Sequence, residues 1–333
     1  KSYNASLFAE NIFRFNKLLI IPGIRYEHVS GRAGGRNGFA ANGSEIILQN
    51  QQRSRNFVLG GIGAEYHLSA KTELYANATQ AYRPMQFSDL TAPPTTDVID
   101  ANLQDAKGYN IDLGYRGKVK NYLFFDASIY HLQYNNRIGT ITQQKVDGSF
   151  YNFRTNIGNS SSLGLEALVE CSFIKLFAPT EKNNDLSAFV SYSFTEAVYN
   201  NLKVVSKVGN GLVETNLKNK SVENAPVHIL RSGVTYVYKG LTLTTQISFV
   251  SSAFSDANNT VLPTANGQVG LIPAYTVADI TATYKFTKAF NIKTGINNLS
   301  NENYFTRRSG GYPGPGILPS DGRTFFVSFG ANL

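Results

Sequence analysis

The 333-residue sequence has no tryptophan, one methionine and a single cysteine, Cys171. A lone cysteine excludes a disulfide framework within the chain, and no CxxC pair or Cys/His array with zinc spacing is present. Long apolar runs are missing too. The nearest candidate, LLIIPGI at 18–24, falls far short of the roughly 18–20 residues a membrane helix needs. A helical membrane fold is therefore excluded. No HExxH, GxSxG, P-loop or GxGxxG pattern stands in a fitting context, so nothing points to an enzyme. Lys+Arg number 31 against 23 Asp+Glu. The basic residues are spread over turns and loops without a stripe, which argues against nucleic acid. No signal-peptide pattern begins at Lys1, which starts in mid-pattern, so the mature start is expected upstream.

What is present is alternation. Thr276, Ala278, Ile280, Ala282, Tyr284 and Phe286 share one face, and Phe325, Val327, Phe329, Ala331 and Leu333 form an apolar face that runs to the last residue. Leu18, Ile20, Ile24 and Tyr26 do the same in 18–29, where Pro22 reads as a bulge because it donates no ladder hydrogen bond. Val58, Ile62, Ala64, Tyr66 and Leu68 follow in 56–68, and Leu123, Phe125, Ala127 and Ile129 in 121–136. Leu163, Leu165, Ala167, Val169, Cys171 and Phe173 form the next apolar face. With further strands at 2–15, 72–82, 105–116, 186–198, 226–238, 241–252 and within 290–301, the chain reads as about thirteen strands. Most have the 9–11 residues or more that cross a bilayer when tilted. Such strands hide from a hydropathy plot, and the 19 Tyr and 22 Phe suit aromatic girdles at the two interfaces.

The connections alternate strictly. They are short at 16–17, 69–71, 117–120, 176–184, 239–240 and 287–290, and long at 31–54, 83–104, 137–150, 199–224, 253–271 and 302–322. Short periplasmic turns against long external loops mark an outer-membrane barrel. A soluble sandwich has no reason to collect every long loop at one end. The expected fold is thus all-β, a transmembrane antiparallel barrel. The last strand then runs inward and the first begins outside. Bacterial single-chain barrels normally have even strand numbers, so the chain reads as the C-terminal portion of a larger barrel.

Several stretches resemble a known family. Ser6-Leu7-Phe8-Ala9-Glu10-Asn11 with Pro22-Gly23-Ile24-Arg25-Tyr26-Glu27 resembles paired mid-barrel strands of TonB-dependent outer-membrane receptors. Gln80-Ala81-Tyr82-Arg83-Pro84 followed by Phe87-Ser88-Asp89-Leu90, the Gly164-Leu165-Glu166 strand, and Asn297-Asn298-Leu299 with Asn303-Tyr304-Phe305 are similar to segments of the same family. Tyr304 to Arg308, Gly311-Tyr312-Pro313-Gly314-Pro315-Gly316-Ile317 and Asp321-Gly322-Arg323 resemble its ferric-dicitrate (FecA-like) branch. Leu333 departs from the terminal aromatic usual in such barrels.

The resemblance implies a twenty-two-stranded barrel with a plugged lumen, with the plug and about nine strands lying outside residues 1–333. It implies a monomeric carrier in the outer membrane of a Gram-negative bacterium, in contact with lipopolysaccharide. The carrier would be energised through its plug by the TonB-ExbB-ExbD complex, with no cofactor and an iron chelate as cargo. Anionic chelates such as ferric dicitrate or a carboxylate siderophore call for arginines, which match carboxylates bidentately. The candidates are Arg83, Arg307, Arg308, Arg32 and Arg36, with Tyr312 beside them; Arg53, Arg55 and Tyr82 are lesser ones. Each has a plain alternative as a solvated or lipopolysaccharide-facing loop residue. Lumen-facing Glu65, Asp126, Glu166, Glu170 and Arg25 read more simply as wall ion pairs than as plug contacts. His28, His131 and His228 read as interfacial packing rather than metal ligands, and no metal site is expected. A passive porin, a rim-site enzyme, and TonB-dependent uptake of haem, cobalamin or oligosaccharide remain the competing readings.

Overall fold

The computed structural model describes residues 2–39, 42–86, 89, 97–144, 150–181, 183–209, 211–309 and 316–331. In chain order the elements are β1 (Ser2–Glu10), β2 (Phe13–Phe15), β3 (Leu18–Phe39), β4 (Glu45–His67), β5 (Thr72–Arg83), β6 (Asp97–Ile99), β7 (Ala106–Val119), β8 (Leu123–Gln144) and β9 (Phe150–Ser172). A short helix α1 (Phe173–Phe177) follows, then β10 (Asn184–Val208), β11 (Gly211–Asn216), β12 (His228–Tyr238), β13 (Leu241–Val250), β14 (Ala253–Phe254) and β15 (Leu271–Ile272). The chain closes with β16 (Tyr275–Lys285), β17 (Phe290–Asn297), β18 (Phe305–Ser309), β19 (Gly316–Pro319) and β20 (Thr324–Ala331).

Thirteen of these strands lie side by side in the order β1-β3-β4-β5-β7-β8-β9-β10-β12-β13-β16-β17-β20. Each pairs antiparallel with the next along the chain, so the sheet is an up-and-down meander, as the alternating connections require. Cross-strand register fixes the faces. Ile62 stands opposite Ala78, Ala78 opposite Ile111, Ile111 opposite His131 and His131 opposite Leu163. That row continues the apolar face read from the sequence. Its side chains are exposed: Leu163 is 56% and Val327 73% accessible. A continuous belt of exposed aliphatic side chains is stable only when its solvent is hydrocarbon. Among the described residues no helix is long and apolar enough to cross a membrane.

The opposite, polar face carries a repeated joint. Tyr75 stands opposite Gly114, Tyr130 opposite Gly164, Phe189 opposite Gly233 and Phe326 opposite Gly295. In each pair the ring lies over the glycine. A Cβ at Gly114 would come 2.3 Å from the Tyr75 ring, and one at Gly164 would come 2.4 Å from the Tyr130 ring. The missing side chains make room for rings that flatten against the wall instead of filling the space it encloses.

Three expectations need correction. Segments 31–54, 137–150 and 199–224 are not simply loops, because β3 runs to Phe39, β4 begins at Glu45, β8 reaches Gln144, β9 begins at Phe150, and β10 continues to Val208 into a hairpin with β11. These extensions stand beyond the apolar belt and are wet on both faces, so they have no period-two polarity to read. Phe173 does not extend β9. Ser172 caps α1 by accepting the Lys175 N–H at 3.3 Å, which turns the chain out of the sheet. Pro22 makes no bulge: Glu10↔Gly23 and Phe13↔Ile20 keep one register. Asn11 N–H still donates to the Pro22 carbonyl at 3.2 Å, so proline removes only the reciprocal bond.

The long-loop end has a small core of its own. Tyr199, Leu202 and Leu217 are almost fully buried, with Ile157, Val204 and Val222 packed around them. This cluster clamps the β10–β11 hairpin onto β9. Truncating Leu202 to alanine is expected to cost about 2–5 kcal/mol within that hairpin. Limited proteolysis should then cut near β11 while the membrane wall stays protected.

Candidate functional site

The strands deliver arginines to the long-loop end, and the structure shows what each one holds. Arg55 on β4 bonds Asp105 at 2.7 Å, with both side chains about 15% accessible. Asp105 also accepts from the Tyr82 hydroxyl and from the Met85 N–H at 2.8 Å. Arg83 pairs with Asp89 at 3.1 Å, and Arg154 reaches the other oxygen of the same carboxylate at 3.5 Å. Asp89 is buried, and the Gln86 N–H completes its shell at 2.8 Å. Arg137 lies over the Tyr134 and Tyr199 rings and donates to Ser160 at 3.0 Å, with Glu223 at 3.7 Å. Wall arginines thus grip carboxylates supplied by the chain itself.

The remaining candidates fall in different places. Arg36 pairs with Glu45 at 2.9 Å at the tip of the β3–β4 hairpin. Arg32 follows Ile24, Tyr26 and His28 on the apolar-side face of β3, opposite Gln52, and so stands on the outer side of the wall. Arg53 donates to the Ala101 carbonyl at 2.9 Å. Arg308 is committed to the Gly267 and Leu271 carbonyls at 2.8 and 2.9 Å, tying β18 to the 253–271 loop. Arg307, its neighbour, is exposed and has no ion pair among the described residues. Tyr312 lies outside the described residues, as do Gly311, Pro313, Gly314 and Pro315.

One cation of the polar face escaped the loop-centred reading because it sits inside a strand. Arg231 on β12 stands opposite Ser191 and Ser248, is exposed, and has no side-chain partner among the described residues. Two strands away on the same face stands Tyr275, whose ring stacks on Tyr304 at 4.5 Å. The only sequence signal for it is a charge at an inward position of an otherwise uncharged strand.

At the short-turn end the polar face carries a network. Arg116 bonds Glu73 at 2.6 Å and Glu65 at 3.2 Å, and His67 lies 3.0 Å from Glu73. Glu65, His67 and Glu73 are close enough to share a metal ion, but the Arg116 guanidinium already supplies the cation between the carboxylates. Tyr75 donates to Asp126 at 2.8 Å, and Arg25 pairs with Glu27. Glu166 and Glu170 are exposed on the same face and have no ion pair among the described residues. Arg116→Met is expected to destabilise the wall by about 1–2 kcal/mol, a figure held down by the partial exposure of the pair. Urea titrations of the two proteins side by side should show that loss as a lowered midpoint.

The other three histidines face the opposite way. His131 packs on Tyr109 at 5.7 Å and His228 accepts or donates to the Tyr192 hydroxyl at 2.8 Å, both on the apolar face. His28 bonds Asn56 at 2.7 Å on the same side. They belong to an aromatic girdle.

An apolar belt on one face, a charged and glycine-jointed face behind it, short turns at one end and tall hairpins at the other define the wall of an outer-membrane β-barrel. Residues 1–299 match the family model described as TonB dependent receptor-like, beta-barrel. The chain belongs to that family, whose members are barrels of the Gram-negative outer membrane. Among solved structures it is similar to the ferric citrate transporter FecA in its unliganded form, with 22% identity and a TM-score of 0.75 over 99% of this chain and 44% of that one. It is also similar to the siderophore receptor PiuA from Acinetobacter baumannii, with 17% identity and a TM-score of 0.74 over 98% of this chain and 42% of that one. The copper transporter OprC matches with 15% identity and a TM-score of 0.69 over 99% and 49%. The chain therefore spans under half the length of these neighbours, and the likeness is one of fold.

Proposed function

We propose that the chain forms the C-terminal part of the wall of a plugged, TonB-energised transporter that carries an anionic iron chelate, ferric dicitrate or a carboxylate siderophore, through the outer membrane. The observation that carries this reading is Arg231, an exposed cation with no partner among the described residues, on the same inner face as the Tyr275–Tyr304 stack. A guanidinium with open donors, on a face that also carries aromatic hydroxyls, suits a carboxylate-rich ligand. Arg307 is the second open donor. Arg55, Arg83 and Arg308 are positioning residues, since each is already bonded to a carboxylate or carbonyl of the chain. Of the solved neighbours, FecA is a ferric citrate transporter and PiuA a siderophore receptor, which supports iron chelates as the cargo class.

On this reading β1 and β20, which end the strand path, join about nine further strands, the number that completes a twenty-two-stranded barrel. Open edges are costly in hydrocarbon, so closure is required. Glu166 and Glu170 then face a plug that links the barrel to the TonB-ExbB-ExbD complex, and the barrel works as a monomer among lipopolysaccharide. Planar-bilayer recording separates this from a passive channel. The transporter reading expects a silent bilayer with the purified protein, and steady ohmic conductance would contradict it. A panel of ferric chelates offered to iron-starved cells then tests the cargo, with ferric citrate giving uptake and uncharged chelates giving little.

A further inference from the structure

We propose that α1 is an interfacial foot of the wall, with Phe173, Leu176 and Phe177 set into the inner leaflet of the outer membrane at the boundary between head groups and acyl chains. The other short connections at this end, such as 16–17, 120–122 and 239–240, hand the chain straight from one strand to the next. The β9–β10 connection instead opens with a helical turn, which the Ala178 N–H closes on the Ile174 carbonyl at 2.7 Å. Register gives its depth. Ser172 pairs with Ser187, so Phe173 leaves the sheet level with Leu186, which stands opposite Tyr236. Tyr236, Tyr238 and Tyr284 are exposed on the apolar face there and form the girdle of the short-turn end. α1 therefore begins where the apolar belt meets the head groups.

Lys175 fixes which way α1 faces. It pairs with Asp185 at 3.3 Å, and Asp185 is itself held by the Ser172 hydroxyl. Lys175 also lines a cavity of about 500 Å³ with Lys118, Phe124 and Glu170, which form one row of the polar face. In a helix, residues i, i+3 and i+4 share one side, and residue i+2 points away from it. Phe173, Leu176 and Phe177 therefore share the side turned away from Lys175. That is the side of Val169 and Cys171, the last apolar positions of β9.

All three apolar side chains are exposed, Phe177 to 80%. They continue the lipid-facing row of β9 without a change of polarity, so the leaflet that covers Val169 and Cys171 covers them as well. Lys120, on the adjacent β7–β8 turn, rims the same cavity as Lys175, is exposed, and has no ion pair among the described residues. It puts a cation beside the foot, where anionic phospholipid head groups lie. A helix with aromatic and leucine side chains on one side and a lysine on the other lies in the plane of the interface. Because Lys175 is tied to the wall, the foot holds the β9–β10 rim at a fixed depth. The foot depends on the membrane face of the wall and not on the cargo assigned above.

Tryptophan placed on α1 tests this in the complete protein, reconstituted into bilayers of phosphatidylethanolamine and phosphatidylglycerol. Residues 1–333 hold no tryptophan, and the emission is read as the difference between each variant and the unsubstituted protein. The Phe177→Trp emission is expected to shift to the blue, to lose most of its intensity when the lipids carry bromine high on the acyl chain, and to resist aqueous iodide. Leu176→Trp, on the same side of α1, should repeat the result. Iodide quenching as strong as that of free N-acetyltryptophanamide would overturn the proposal by placing the foot in water. A blue-shifted emission that brominated lipid leaves intact would overturn it too, since another polypeptide would then cover the apolar side.

Discussion

Gly164→Leu is expected to leave little folded barrel in the membrane fraction, a larger loss than any single charge removal in the wall. The Tyr130 ring occupies the space that a side chain at Gly164 would need, with its Cζ 2.4 Å from the position of a Cβ. The ring cannot move aside freely, because its hydroxyl is hydrogen-bonded to Thr195 at 2.6 Å on the strand beyond. One joint therefore couples β8, β9 and β10. Even Gly164→Ala should cost about 1–3 kcal/mol through overpacking, read as a lowered urea midpoint and a lowered temperature for the shift in gel mobility. Tyr130→Ala removes the obstacle, so the double variant should be less destabilised than the sum of the single ones. Additive losses would show that the ring does not lie over the glycine.

Arg231→Ala is expected to weaken ferric citrate binding by about ten- to a hundredfold, the range for losing a hydrogen bond to a charged group. Stability should change little, since the side chain is exposed and gives up no partner among the described residues. Arg307→Ala should act in the same direction and more weakly, and Arg231→Lys should restore part of the affinity as a point charge without the fork. Arg83→Ala and Arg55→Ala should behave differently. Each strands a buried or half-buried carboxylate, Asp89 or Asp105, so the first effect is on folding. Equilibrium binding run beside urea denaturation separates the two classes. Equal effects of all four arginines on affinity alone would contradict this division.

The sequence carried the membrane-embedded part of the fold because hydrocarbon imposes a period of two on one face. The thirteen strands and the side chains facing lipid, from Leu18 and Ile20 through Leu163 to Phe329, could be read directly. Beyond the belt that constraint ends. The extensions of β3, β4, β8, β9 and β10 bathe both faces in water, and their polar residues look like loops until pairing shows otherwise. Asn297-Asn298-Leu299 was legible as a family segment but not as the corner it makes: Asn298 adopts a φ of 52°. Its side chain holds Glu302 and Asp321 through hydrogen bonds to their backbones. The candidate site was least legible of all. Residue type put Arg83 and Arg308 forward, yet Asp89 and two loop carbonyls already occupy them. Only the register of β12 brings Arg231 onto the inner face.

The central claim is gated, energised carriage of an anionic ferric chelate, and uptake of radio-iron from ferric citrate by iron-starved cells tests it most directly. Cells with and without the gene are compared, each with and without a protonophore. The account predicts saturable uptake that requires the gene, collapses with the protonophore and falls with Arg231→Ala. Uptake that persists in the presence of the protonophore, or that is the same without the gene, would contradict it.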